Sequence, residues 1–255
     1  MFFKEWSTVE GMAYATLFFI ARYMAIAGLF YLICYTVWKN RFKSYKIQRK
    51  WPKLKQLRAE IGYSLLTFAI YGGAVWLFLY WIATGTTQRY EAIADFGLPY
   101  FVISVGIMVV LHDTYFYWTH RLMHHPRWFK WMHRTHHRFH APTPWAAFAF
   151  HPLESAVSLG IIPIIIFGIP YHPWALMCFI TLMTLYNISI HLGYQLLGMW
   201  WTSIQNTAKD HDLHHSSGKG NYGLYFRLWD RLMGTYRPVT KRTNPHPYSN
   251  EKQLQ

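Results

Sequence analysis

Long apolar runs separated by polar and basic stretches dominate the chain. The five runs cover residues 12–38, 61–83, 98–119, 155–169 and 174–196. A helix needs about 20 apolar residues to cross a bilayer, and only 155–169 is clearly shorter than that. Pro170 and Pro173 place a turn between the last two runs, which form either a full hairpin or a shallower, re-entrant one. The pattern predicts an all-α integral membrane protein with four to five membrane helices.

The basic residues orient these helices. Nine Lys and Arg residues and no acidic residue lie between positions 39 and 58, so the positive-inside rule places this loop in the cytoplasm. Residues 84–97 then lie outside, whereas the basic segment 120–150 and everything after His191 return to the cytoplasm. Cytoplasmic loops therefore account for the net charge of +14, and no nucleic-acid partner is expected.

Arg22 falls inside the first apolar run. A charge within a membrane span indicates a function by default. The alternative is that the long apolar stem of the side chain carries the guanidinium to the membrane surface. We expect this alternative, with Arg22 snorkelling toward the outer surface.

Histidines are concentrated in the segments that this topology places in the cytoplasm. Eight of the 29 residues from 112 to 140 are His, and further histidines follow at 151, 191, 211, 214 and 215. His133 with His136 and His137 has the helical spacing i, i+3, i+4, as does His211 with His214 and His215, so each set can aim at one point. Three such clusters on one side of a membrane predict a metal site in a cytoplasmic helical cap.

The type of ligand narrows the choice of metal. A set made almost entirely of imidazoles suits iron, copper, nickel or zinc and argues against magnesium and calcium. A tetrahedral zinc needs about four ligands, so eight to ten histidines fit two metals better. Asp113 and Tyr117 fall on one helical stripe with His120 and His124. We expect Asp113 to accept a hydrogen bond from a ligand histidine and so to orient it.

Gly218, Gly220 and Gly223 spell the G-x-G-x-x-G pattern of a dinucleotide loop. Such a loop follows a strand and is trailed by an acidic residue about 20 positions later, and neither signal is present here. No bound nucleotide is expected, and the glycines are interpreted as a turn that leads the chain away from His214 and His215.

The histidine clusters resemble those of the membrane-bound fatty acid hydroxylase and sterol desaturase superfamily. The similar motifs are HRLMHH at 120–125, HRTHH at 133–137 and HDLHH at 211–215. The segments PTPWAAFAFHPLE at 142–154 and NYGLYFRLWDRLMGTYRP at 221–238 look most like the sterol C-5 desaturase branch. The resemblance covers residues 98–240, which would form the catalytic domain after the membrane helices and basic loop of 1–97 and before a polar tail at 241–255.

This resemblance implies two non-haem irons and O2 as co-substrate, acting on an unactivated C–H bond of a lipid drawn from the bilayer. The implied iron ligands are His120, His124, His133, His136, His137, His191, His211, His214 and His215. Further candidates for a ligand or a supporting role are His112, Asp113, Tyr117, His125, His140, His151 and Gln195. Electrons would come from a separate donor, a ferredoxin or a cytochrome b5-type protein with its NAD(P)H reductase.

Several alternatives stay open at this point. The product is either an alkene or an alcohol, and the substrate is a sterol, another polycyclic terpenoid, a fatty acyl lipid or an aminolipid. The H-x-x-x-H spacing of the first cluster, and Gln195 where a second histidine is typical, argue against a fatty acyl 2-hydroxylase. A b-type haem protein for electron transfer and a cation transporter or metal sensor are alternatives from other classes. A bacterial inner membrane is favoured over the endoplasmic reticulum.

Overall fold

Helices make up the ordered framework of the protein, a computed structural model of which describes residues 9–48, 50–196 and 203–240. The helices are α1 (Val9–Tyr31, continued by a π-helical turn, Leu32–Val37), α2 (Leu54–Ala83), α3 (Gly97–Met123), α4 (Pro126–Met132), α5 (Arg134–His137), α6 (Pro152–Leu159), α7 (Ile161–Gly168), α8 (Pro173–Ile190), α9 (Ala208–Ser217) and α10 (Leu228–Leu232). Within these residues the only β-pairing is three isolated bridges, which confirms the all-α class. The tail 241–255 lies outside the described residues.

Four helices are long and apolar enough to cross a membrane. They are Glu10–Val37, Leu54–Ala83, Gly97–Met123 and Pro173–Ile190, so the prediction of four to five membrane helices is confirmed. The second helix begins at Leu54 rather than at 61, because the polar residues before 61 are good helix formers and no Pro or Gly intervenes.

The short apolar run forms two helices in place of one. Helix α6 ends at Leu159, and α7 begins at Ile161. Pro163 explains the break, because a proline ring clashes with the carbonyl four residues earlier, here that of Leu159. At the start of this segment, Glu154 contacts His133. Near the end of the segment, the carbonyl of Ile166 accepts a hydrogen bond from the backbone amide of Gln88, which lies in the loop after α2. The segment therefore connects the histidine end of the bundle with the opposite end.

Residues 143–151 enter the helix bundle, although the sequence placed them in a cytoplasmic loop. Ala146, Ala147 and Phe148 are buried. The carbonyl of Trp145 accepts hydrogen bonds from the Tyr23 hydroxyl (2.8 Å) and the Ser64 hydroxyl (2.9 Å). These bonds explain why backbone outside an α-helix, which includes the 3-10 turn Pro144–Ala146, is tolerated here, since membrane proteins keep such backbone only where protein groups satisfy it.

Arg22 does not snorkel to the outer surface. Its guanidinium donates hydrogen bonds to the hydroxyls of Thr181 (3.2 Å) and Thr184 (3.0 Å), both within α8. The two threonines offer acceptors inside the span, because each hydroxyl gives its own hydrogen to a backbone carbonyl one turn earlier. The expectation for Arg22 was therefore wrong: the side chain is retained between α1 and α8.

Candidate metal centre

Nine histidines converge at one end of the bundle, at the ends of helices and on the short helices that follow them. His120 lies in the last turn of α3 and His124 caps that helix, while His191 caps α8. His133, His136 and His137 lie at and after the junction of α4 and α5, and His211, His214 and His215 lie on α9. The structure thus brings together all nine histidines implied as iron ligands.

The nine side chains divide into two groups that could each hold one metal ion. Group A is His120, His124, His133, His137 and His214, and group B is His136, His191, His211 and His215. Within each group the ligand atoms lie within 4.8 Å of one another. The groups adjoin, because the rings of His137 and His215 are stacked with centroids 4.8 Å apart.

Neighbouring Nε2 atoms in both groups have a narrow range of separations. In group A they are 3.0 Å for His120 and His133 and 3.1 Å for His124 and His214. In group B they are 3.2 Å for His136 and His191 and 2.9 Å for His191 and His211. A metal bound at about 2.1 Å separates ligands at right angles by about 3.0 Å and tetrahedral ligands by about 3.4 Å. The observed spacing is therefore close to that of nitrogens that share one metal ion.

Hydrogen bonds at the outer ring nitrogens orient these histidines. The Nδ1 atom of His120 donates to the Tyr222 carbonyl (2.8 Å), and that of His214 donates to the Gly220 carbonyl (2.7 Å). The Nδ1 atom of His191 donates to the Asn187 carbonyl (2.7 Å). A neutral imidazole that donates through Nδ1 has a lone pair on Nε2, which is the arrangement of a metal ligand.

The geometry of the His120–His133 pair indicates whether a cation fits between the two Nε2 atoms. The Nδ1 atom of His133 donates to the Glu154 carboxylate at 2.7 Å, and that of His120 donates to a carbonyl, so both Nε2 atoms carry lone pairs. These two atoms face each other at 3.0 Å, an arrangement that is repulsive unless a cation lies between them. The donor set thus fits a metal ion.

Burial keeps these histidines in the form that binds metal. It lowers the pKa of His133, His136, His211, His214 and His215 well below the ordinary value of 6.5, and neighbouring histidines lower it further. The rings are therefore neutral at physiological pH, and neutral imidazole is the form that binds a metal.

Glu154 is the carboxylate that contacts a site histidine, and the sequence did not single it out. Asp113 was expected in this role, but its carboxylate accepts hydrogen bonds from the backbone amides of Tyr225 (2.8 Å) and Phe226 (3.1 Å). The reason is position: Asp113 lies two helical turns before His120 on α3, level with the loop after α9. Asp113 fixes this loop, whereas Glu154 reaches the site because residues 143–151 fold into the bundle.

The remaining candidates join neither group. His125 and His151 cap α4 and α6, each accepting a backbone amide hydrogen at Nδ1. His140 is exposed, and Gln195 accepts a hydrogen bond from the Lys209 amide. Two others bond to residues that follow α9: the Tyr117 hydroxyl with Thr235 (3.0 Å) and His112 Nδ1 with the Tyr225 hydroxyl (2.9 Å).

The glycine-rich turn supports the site, although we expected it to lead away from it. Gly218 caps α9 in the left-handed conformation with φ of 66°, which glycine adopts readily. The chain then returns across the histidines, so that the carbonyls of Gly220 and Tyr222 accept from His214 and His120. The turn therefore belongs to the candidate metal centre and orients one histidine from α3 and one from α9.

An apolar cavity of about 360 Å³ lies within the bundle, and two of its lining residues, Phe116 and Phe150, contact the clustered histidines. Its walls come from α1, α2, α3, α6, α7 and α8. At the inner end, the Phe116 ring lies 4.9 Å from that of His120, and the Phe150 ring lies 5.3 Å from that of His136. His112 also lines this end. A volume of this size is in the range of sites for small molecules and cofactors.

Sequence comparison agrees with this architecture. The family model of fatty acid hydroxylases matches residues 105–235, just over half of the chain. The chain belongs to the fatty acid hydroxylase family. The matched region contains all nine clustered histidines and the loop that orients His120 and His214.

Relatives of this family member are named as sterol enzymes. This chain is 30% identical over 199 residues to the Delta(7)-sterol 5(6)-desaturase of Gibberella zeae, and the alignment covers 74% of this chain and 59% of that protein. It is also 30% identical over 172 residues to the lathosterol oxidase of Rattus norvegicus, covering 67% of this chain and 58% of that protein. The resemblance to the sterol C-5 desaturase branch is confirmed. The chain spans less than three fifths of the length of these relatives, and no solved structure matches it.

The relatives also bear on the membrane in which the protein resides. Those described above come from a fungus and a mammal, and they lend no support to the expectation of a bacterial inner membrane. Together with the four apolar helices, family membership identifies a multi-pass membrane protein.

Proposed function

We propose that this protein is a membrane oxidoreductase that uses two non-haem irons and O2 to oxidise an unactivated C–H bond of a lipid. The observation that carries the proposal is an apolar cavity in the helix bundle whose lining residues Phe116 and Phe150 contact one histidine of group A and one of group B, respectively. A lipid can enter such a cavity from the bilayer without exposure of its apolar body to water. The two groups would hold one iron each.

Bound iron would supply the activation of O2 and the removal of hydrogen from carbon, which no amino-acid side chain can perform alone. The chain supplies position and an environment without bulk water. Phe116 and Phe150 line the cavity and contact the rings of His120 and His136, so they would position the substrate carbon beside the metal centre. The outer hydrogen bonds of His120, His191 and His214 would keep their Nε2 atoms directed inward.

The names of the relatives favour desaturation of a sterol or a related polycyclic lipid. Oxidation of a fatty acyl lipid, a sphingolipid or an aminolipid is the alternative within the same family, since desaturation and hydroxylation share the first hydrogen abstraction. A b-type haem has less support: it needs two ligand nitrogens about 4 Å apart across the ring plane, whereas these nitrogens form compact clusters at 2.9 to 3.2 Å.

Reducing electrons would come from a separate ferredoxin or cytochrome b5-type protein and its NAD(P)H reductase. The histidine end of the bundle carries the basic loop 39–58 and the exposed basic residues of α4. We propose that this end faces the cytoplasm, as the positive-inside rule predicts. A donor with an acidic surface would then approach the end at which the metals lie.

Metal analysis combined with lipid analysis tests the proposal. The purified protein is expected to contain about two irons per chain and to show no haem absorbance. Lipids from cells with and without the protein are compared by mass spectrometry, with a loss of about 2 mass units expected for desaturation or a gain of about 16 for hydroxylation. One zinc per chain and no iron, or an unchanged lipid profile, would overturn the proposal.

A further inference from the structure

Arg22 gives the apolar cavity a cationic position inside the membrane. Its side chain lines the cavity and is anchored by the hydroxyls of Thr181 and Thr184. The guanidinium carbon also lies 5.5 Å from the centre of the Phe19 ring, which lines the same cavity. The charge is therefore fixed in place by α1 and α8.

No carboxylate of the described residues forms a salt bridge with this guanidinium. The two threonine hydroxyls are neutral acceptors, and the buried Nε atom has no hydrogen-bond partner among those residues. A buried charge is stable when it is paired with an opposite charge or with several hydrogen-bond partners. The site thus lacks an anionic partner that a ligand can supply.

The position of Arg22 along the bundle sets a distance from the metal centre. Thr184 and Thr181 precede His191 by seven and ten residues on α8 and its C-cap. At 1.5 Å per residue, the guanidinium therefore lies about 10 to 15 Å along the axis from this metal ligand. A lipid in the cavity can touch Arg22 and the metal centre only with two atoms separated by a similar distance.

We propose that Arg22 binds an anionic oxygen group, a carboxylate or a phosphate, on the lipid substrate and so positions a carbon about 10 to 15 Å away for oxidation. This inference rests on the proposed function and narrows its substrates to lipids that carry such an anionic group, which leaves out sterols whose polar group is a neutral hydroxyl. Thr181 and Thr184 orient the guanidinium as positioning residues, and Arg22 contacts the lipid through donors that remain free. A lipid whose polar group adjoins the oxidised carbon does not satisfy this geometry.

Ligand binding tests the inference without requiring turnover. Full-length protein in detergent is titrated with palmitate, hexadecyl phosphate, hexadecanol, hexadecylamine and cholesterol, each displacing a fluorescent polyene hydrocarbon that carries no anionic group. Arg22→Leu is expected to weaken binding of the anion that fits by about tenfold or more and to leave hexadecanol unchanged. Arg22→Lys retains the charge and is expected to recover part of the affinity, which separates loss of the cation from a damaged fold.

Arg89 provides the matched control, because it also lines the cavity but lies in the loop after α2, where it pairs with Glu91 at 2.9 Å. Arg89→Leu is expected to leave anion affinity within about twofold of wild type, because the Glu91 carboxylate already balances the charge of Arg89. A preference for palmitate or for hexadecyl phosphate identifies the anion.

Three results would overturn the inference: equal affinity of Arg22→Leu and wild type for both anions, tighter binding of hexadecanol or cholesterol than of either anion, or a loss confined to Arg89→Leu. Iron content is measured on every variant. A protein with iron and lipid turnover but without anion selectivity contradicts the inference alone, whereas a protein without iron contradicts the proposed function.

Discussion

Glu154 allows a selective test of the metal centre, because it touches one histidine group and not the other. Its carboxylate accepts from Nδ1 of His133 at 2.7 Å, and both side chains are 3% exposed. Glu154→Leu keeps most of the side-chain volume and leaves the buried N–H of His133 without an acceptor. We expect the metal of group A to be lost before that of group B, in which no member contacts Glu154.

The size of the effect follows from the buried hydrogen bond. An unpartnered buried donor costs about 1–3 kcal/mol, and removal of an outer partner of a ligand histidine lowers metal affinity by about 10- to 100-fold. The two ranges agree, since each tenfold change in affinity corresponds to about 1.4 kcal/mol. Glu154→Gln retains an acceptor oxygen, so we expect a loss near the lower end of this range.

The assay is iron retention during dialysis against increasing concentrations of a chelator, with iron counted per chain by mass spectrometry. Glu60→Gln is the matched control, because Glu60 is fully buried and bonds to Thr143 and Gln56 but contacts no histidine. The expected result is a stepwise curve for Glu154→Leu, from about two irons to about one, and a wild-type curve for Glu60→Gln. Loss of both irons together, or equal curves for the two variants, would refute the assignment of Glu154 to group A.

Three further predictions concern the loop, the cavity and the basic segment. Gly220→Ala is expected to lower iron content and thermal stability together, because φ is +73° there and its carbonyl orients His214. Gly62→Ala lies at an open helical position, so it should leave iron content unchanged and raise thermal stability slightly, since alanine favours a helix more than glycine does. His112→Phe is expected to retain both irons but to change the rate or the product of lipid oxidation, as measured by lipid mass spectrometry. Loss of iron from this variant would contradict the position of His112 outside both histidine groups. Burial lowers the pKa of Lys46 from 10.5 to about 8. The free energy of unfolding is therefore expected to increase as pH rises from about 8 toward 10, and the melting temperature of Lys46→Met should lack this increase.

The sequence predicted which histidines cluster but not their division into two groups. The i, i+3, i+4 spacing indicated that each histidine cluster could aim at one point, yet the structure sends His136 to group B and His137 to group A. Successive residues on a helix point about 100° apart. Two adjacent histidines therefore point in different directions, and each can belong to a different group. The same holds for His214 and His215, and this signal was present in the sequence.

Other parts of the site depend on tertiary contacts that no local pattern encodes. Glu154 reaches His133 only because residues 143–151 pass into the bundle. The carbonyls that orient His120 and His214 come from a loop about 100 residues after α3 in the chain. Hydrophobic patterning located four membrane helices but not the rotation that turns Arg22 toward Thr181 and Thr184.

The position of α9 late in the chain has a consequence for the order of assembly during biosynthesis. His214 completes group A, and His211 and His215 make up half of group B, so neither group is whole until α9 docks against α3 and α8. Membrane helices α1 to α3 are synthesised well before this point, and metal binding and folding are coupled wherever ligands converge from distant segments. Loading of the two proposed irons would thus be a closing step of maturation, since a nascent chain that ends before residue 208 lacks part of both histidine groups.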